Sequence, residues 1–137
     1  MIKIDVVKEF TEAPGGRYKT NGDFSGEEFR EKILLPKLIQ AEKENTKLVI
    51  DLDGGYGYAL CFLDEAFGGL VKYHEKIDIL DNIIIISKDD EFLVNYIKKC
   101  VSREIHKYLK TITISKAIKK IGLKRFIKYK MYARYNK

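Results

Sequence analysis

Three short apolar runs, separated by stretches of helical period, predict an α/β fold. Residues 2–7 alternate apolar and polar side chains, which predicts an edge or near-edge strand with one covered face. Residues 48–52 and 83–86 are almost uninterrupted apolar runs, which predicts two adjacent central strands that are buried on both faces. Strands joined by helices would pair in parallel through right-handed crossovers.

Capping signals set the helix boundaries. Ser25 with Glu28 three positions on predicts a helix that starts at Gly26 and reaches residue 43, with a kink near 32–35 because of Pro36. A second capping signal after residue 86 opens a long helix toward residue 110, and glycine at 122 predicts two further short helices. The charged positions of the first helix are interpreted as a solvated face: Glu27, Arg30, Glu31, Lys37, Glu42 and Lys43.

The most informative stretch is residues 48–70, LVIDLDGGYGYALCFLDEAFGGL, which joins a strand, a glycine-rich turn and an amphipathic helix. The turn holds Tyr56 and Tyr58, and the helical period leaves Asp64 and Glu65 outside the apolar face. These four side chains are predicted to form an exposed partner-binding surface, although turn tyrosines also often fold back onto a core. The glycine pair at 68–69 predicts close approach of this helix to the sheet.

This stretch, together with SGEEFREKILLP at residues 25–36, resembles a bacterial family of unknown function called STAS-like, named after the sulfate transporter and anti-sigma factor antagonist domain. The resemblance covers residues 2 to about 100. It implies a small regulatory α/β domain, a mixed or mostly parallel sheet of about four strands packed by helices, whose fourth strand would lie in residues 7–20 or 72–80. It also implies a histidine-kinase-like ATPase as protein partner.

In the anti-sigma factor antagonists that the family resembles, a serine at the start of this helix is phosphorylated and the charge change releases the partner. Cys61 occupies that place here, so the resemblance implies partner binding by Cys61 with the other turn residues but no hydroxyl switch. A cysteine at a helix N-terminus favours the thiolate form, which predicts either redox sensitivity or an inert buried thiol. Cys100 lies on an apolar helix face and is expected to be buried.

The charge is unevenly distributed along the 137 residues. Residues 105–137 hold eleven Lys and Arg and no acidic residue, which leaves 15 basic and 20 acidic residues in the remainder, a formal charge of −5. The sequence therefore predicts a STAS-like domain over residues 1–110 and a basic, helical C-terminal extension over residues 111–137.

The extension predicts binding to a polyanion, either nucleic acid or an anionic membrane surface. The alternative is that its helices pack on the domain and leave their lysines in water. The candidate polyanion-binding residues are Lys116, Lys119, Lys120, Lys124, Arg125, Lys128, Lys130 and Arg134.

Catalysis has weaker support. Asp51, Asp53 and Asp64 could hold Mg²⁺ in a metal-dependent hydrolase, but no nucleophile motif accompanies them, and we expect no metal site and no cofactor. The two histidines, at 74 and 106, lack a partner at metal-binding spacing, and so do both cysteines. With no signal-peptide pattern and no apolar run of about 20 residues, the expected location is the cytoplasm.

Overall fold

The computed structural model describes residues 1–135, except for the side chains of residues 129 and 132–135. Its sheet has three strands, β1 (Ile2–Asp5), β2 (Leu48–Asp51) and β3 (Ile83–Ile86), in the order β1-β2-β3 with both pairs parallel. The expected fourth strand is absent from the described part of the chain. Helical turns and loops occupy residues 7–20 and 72–80, where that strand was expected.

One face of the sheet packs against the core along its whole width. In the paired register, Ile2, Leu48 and Ile83 form one row, and Ile4, Ile50 and Ile85 form the next row on the same face. These six side chains all pack in or against the core. The opposite face carries Lys3, Val49 and Ile84, and here Val49 is buried whereas Ile84 is 40% exposed.

This arrangement corrects the prediction for β3. It is adjacent to β2, as expected, but it is an edge strand with one partly open face, whereas β2 alone is central. β1 is the other edge, as its alternating pattern predicted. An isoleucine run has the same composition at an edge as in a sheet centre, so the pattern alone could not separate the two positions.

The helices follow the strands in chain order. They are α1 (Val6–Glu9), α2 (Gly26–Phe29), α3 (Leu35–Lys43), α4 (Leu60–Leu63), α5 (Gly69–His74), α6 (Ile79–Asn82), α7 (Phe92–Lys110), α8 (Ile114–Ile121) and α9 (Leu123–Tyr135). One 3₁₀ turn occupies Lys19–Asn21, and π-helical turns at Arg30–Leu34 and Asp64–Gly68 join α2 to α3 and α4 to α5.

The capping residue predicted for the first long helix is confirmed, because the Ser25 hydroxyl accepts a hydrogen bond from the Glu28 N–H at 3.0 Å. The irregularity expected near Pro36 takes the form of the first π-turn, in which the Leu35 N–H donates to the carbonyl of Arg30, five residues earlier. Since Pro36 has no N–H to donate within the helix, the wider turn precedes the residue that would break a regular α-helix.

One core runs from the covered face of the sheet through the helices. Its largest fully buried side chains include Phe29, Phe62 and Phe67, and it extends to Ala117 and Ile121 of α8. The helices of the C-terminal extension therefore contact the domain, while the boundary at residue 110 stays a prediction. Within residues 1–135 no helix has both the length and the apolar character that a membrane span requires.

Candidate functional site

The glycine turn after β2 is held by reciprocal hydrogen bonds to the loop after β3. The Asp53 carboxylate accepts from the backbone N–H groups of Lys88 and Asp89 at 3.0 and 2.9 Å, and the Asp89 carboxylate accepts from the Gly54 N–H at 2.9 Å. Both loops lie at the carboxyl edge of the parallel sheet, where α/β proteins commonly bind ligands. These reciprocal hydrogen bonds, which we call the clamp, fix the backbone of the turn that carries the predicted site residues.

A third loop, after β1, closes against the same turn. The Tyr56 N–H donates to the Glu12 carbonyl at 2.9 Å, and a Cβ added at Gly55 would lie only 2.7 Å from that carbonyl oxygen. Gly54 and Gly57 adopt φ values of 97° and 111°, which side-chain-bearing residues rarely accept. The glycines are therefore required by close approach and by backbone conformation.

Tyr56, Leu60 and Cys61 face outward from this clamped turn and the helix start, and we call them the turn surface. Tyr56 is 83% exposed and Leu60 is 44% exposed. Cys61 is half-buried in the first turn of α4, so its predicted position near the helix N-terminus is confirmed. Cys100 is buried as expected, and burial raises the pKa of its thiol.

Tyr58 belongs to the core side of the turn, which corrects its assignment to the exposed surface. Its hydroxyl donates to the Leu52 carbonyl at 2.9 Å, and its ring packs on Phe62 with 5.8 Å between ring centroids. Burial, with the nearby Asp51 carboxylate, raises the pKa of this hydroxyl far above its ordinary value. Tyr58 thus supports the turn from inside.

Asp64 is also held within the protein, because two arginines pair with its carboxylate. Its two carboxylate oxygens accept from Arg17 at 2.8 Å and from Arg103 at 2.5 Å, which ties the loop after β1 to α7. Burial favours the neutral acid, but the hydrogen bond from Arg17 and the charge of Arg103 outweigh it and lower the pKa of Asp64.

The prediction that Glu65 is exposed was also wrong, because Glu65 forms a buried ion pair with Arg30. Arg30 Nη1 lies 2.5 Å from both Glu65 Oε2 and the Glu65 carbonyl oxygen, and the two side chains are only 3% and 4% exposed. Arg30 also lies over the Tyr73 ring, 4.9 Å from its centroid. The interpretation of Arg30 as part of a solvated face was therefore wrong.

Gly69 makes room for this pair, because a Cβ at that position would overlap the Arg30 guanidinium. Its neighbour Gly68 lies against Cys100 and Glu104 of α7. The glycine pair thus permits close approach to an arginine and to a helix, whereas the sequence had suggested approach to the sheet.

A signal for Arg30 was present in the sequence. Arg30, Leu34 and Leu38 follow one another at four-residue intervals, so the arginine shares a helical face with two fully buried leucines. No comparable signal identifies Arg17 or Arg103, because their shared contact with Asp64 depends on how three distant segments pack.

The structure does not support the hydrolase alternative. Asp53 and Asp51 accept backbone hydrogen bonds at the turn, whereas Asp64 is paired with two arginines. Among residues 1–135, no three His, Cys, Asp or Glu side chains are grouped in a way that could hold a metal ion.

The predicted polyanion-binding residues fall into three groups. Lys120 is paired with Glu75, and Arg125 with Asp81, so these two cations are engaged within the protein. The side chain of Arg134 lies outside the described part of the chain. The remaining candidates are exposed: Lys116, Lys119, Lys124, Lys128 and Lys130.

These features define a small α/β module in which helices pack on a three-stranded parallel sheet, with hydrogen-bonded loops at its carboxyl edge. The chain belongs to the family described as STAS-like domain of unknown function (DUF4325), whose model matches residues 25–93, half of the chain. The match confirms the family that the sequence resembled, over a shorter range than expected. No curated protein and no solved structure matches the chain significantly.

Proposed function

We propose that this protein is a regulatory protein-binding module of the STAS type and that its partner docks on the turn surface. The observation that carries the proposal is that two large side chains, Tyr56 and Leu60, are exposed on a backbone that hydrogen bonds hold in place. Burial of an exposed apolar side chain by a partner makes the free energy of binding more favourable, and a rigid backbone reduces the entropy lost on binding.

The charge around the turn surface indicates which charges the partner's interface should carry. Glu12, Asp89, Asp90 and Glu91 are exposed on the loops that surround it. A partner that presents an apolar pocket rimmed by Lys or Arg would complement this surface. The family resemblance suggests a histidine-kinase-like ATPase as the class of partner, and with Cys61 in the place of a serine, control would not depend on hydroxyl phosphorylation.

The test is affinity capture from cells that encode the protein, followed by calorimetric titration of the captured ATPase with purified variants. Tyr56→Ala and Leu60→Ala should each weaken binding at least tenfold, as expected for truncation of a central interface side chain. Ile114→Ala provides the control, because it removes a similarly exposed side chain from a different helix. Unchanged affinity in both turn variants would contradict the proposal.

Tyr58→Ala and Asp64→Ala are unsuitable for this purpose. Both side chains hold internal hydrogen bonds, so their loss would lower the free energy of unfolding and reduce binding indirectly. They serve instead as a comparison, because they show how much binding is lost when the protein is destabilised and the turn surface is unchanged.

A further inference from the structure

The outward face of α9 carries an apolar row that no other part of the described chain covers. Leu123, Ile127 and Met131 recur at four-residue intervals, which places them on one side of the helix. They are 57%, 48% and 52% exposed, whereas Phe126, which adjoins the row three positions after Leu123, packs against the core. The helix therefore contacts the core along one edge of its apolar face and leaves this row exposed to solvent.

Lysines border this row on both sides. By helical geometry Lys124 and Lys128 follow the row along one edge and Lys130 lies along the other, and all three are exposed. Within residues 1–135 none of the three forms an ion pair, in contrast to Arg125, which is paired with Asp81. An apolar strip with lysines at both edges is the pattern of a helix that lies in a membrane interface.

A second observation lies on the neighbouring helix. Tyr108 and Ile112 line an open groove of about 450 Å³ together with Lys116, Lys119 and Lys120 of α8. Its apolar residues and the exposed ammonium groups of Lys116 and Lys119 suit a phosphate that is joined to an apolar chain, while Lys120 is paired with Glu75. This is the chemistry of an anionic phospholipid.

We propose that α8 and α9 attach the protein to an anionic phospholipid surface, with the row of Leu123, Ile127 and Met131 inserted among the headgroups. A nucleic acid would use the lysines but would leave this aliphatic row in water, since base stacking needs aromatic or guanidinium planes. A second copy of the chain would bring two lysine-bordered faces together, where like charges repel. The bilayer is the partner that uses both the charge and the apolar row.

The expected loss of membrane affinity can be estimated from the lysines and the aliphatic side chains that are removed from α9. Each lysine near an anionic bilayer strengthens binding about fivefold, so removing three should weaken it about a hundredfold. Replacing the three aliphatic side chains by polar ones removes the inserted part and should weaken binding at least tenfold without changing the charge.

The experiment is sedimentation of the full chain with phosphatidylcholine vesicles, with and without phosphatidylserine, at physiological salt. One variant changes Lys124, Lys128 and Lys130 to Gln, and another changes the apolar row to Gln. A control with the same loss of charge changes exposed lysines elsewhere on the surface: Lys43, Lys98 and Lys99. Because the altered side chains are exposed, all variants should keep the wild-type melting temperature.

A single tryptophan provides an independent readout, because the protein contains none. Ile127→Trp should shift its fluorescence emission to the blue with anionic vesicles and should not do so with duplex DNA. The proposal requires binding to anionic vesicles that both helix variants weaken and the control retains. It is overturned by absent vesicle binding, by DNA binding that the apolar variant leaves intact, or by a dimer that the apolar variant dissociates.

Discussion

The buried pair of Arg30 and Glu65 provides the most direct test of the internal charge network. Arg30→Met would leave the Glu65 carboxylate buried, with Arg17 at 3.7 Å as its remaining cation. Breaking a buried ion pair from one side costs about 3–5 kcal/mol, so we expect a loss of about 4 kcal/mol in the free energy of unfolding. Glu65→Leu should cost less, about 3 kcal/mol, because Arg30 keeps its bond to the backbone carbonyl and its contact with Tyr73.

Urea denaturation followed by circular dichroism measures both losses. With a slope of roughly 2 kcal/mol per molar urea, the Arg30→Met midpoint should fall by about 2 M. The double variant should be destabilised by less than the sum of the single variants, because it leaves no unpaired buried charge. Lys32→Met, in the exposed pair with Glu28, is the control and should change stability by at most about 0.5 kcal/mol. Single-variant losses as small as this control would refute the reasoning.

Three further outcomes follow from the same region. Asp64→Asn should lower the free energy of unfolding by about 1–2 kcal/mol at neutral pH. This difference from wild type should disappear as the pH falls through the pKa of Asp64, which lies below its ordinary value of 3.8, because the protonated acid no longer attracts arginines. A difference in stability that persists in acid would contradict this. Gly69→Ala should lower the thermal midpoint by several degrees by displacing the buried guanidinium. Gly68→Ala should lower it by less, because its new Cβ would lie no closer than 3.3 Å to its neighbours. A thiol reagent should modify half-buried Cys61 in the folded protein and Cys100 only after unfolding; equal rates would show that local exposure does not control access.

Much of the backbone could be predicted from local patterns. The strand of residues 48–51 and the helix start after Ser25 depend on side chains that are close in sequence. The charge network could not be predicted in this way, because Arg30 and Glu65 are 35 positions apart and each alone has the sequence context of a surface residue. Burial of an ionised side chain depends on whether a partner reaches it, and that is a property of tertiary packing.

The candidate site shows the same division. The exposure of Tyr56 follows from a glycine turn, which the sequence made evident, whereas Tyr58 turns inward because a carbonyl at the end of β2 accepts its hydroxyl. Alternating residues of one turn thus have opposite roles, and composition alone could not assign them.

Because of the two π-turns, this fold depends on the number of residues in the helices that contain them. Arg30 lies in one π-turn and Glu65 in the other, and each turn accommodates one residue more than an α-helix would. Deleting a single residue from either segment would replace the wide turn by regular α-helix and change the position of the charged group relative to the residues on either side of it. A conservative substitution preserves the phase between the two charged groups, whereas a one-residue deletion destroys it. In these two helices, the spacing of the chain carries as much structural information as the identity of its side chains.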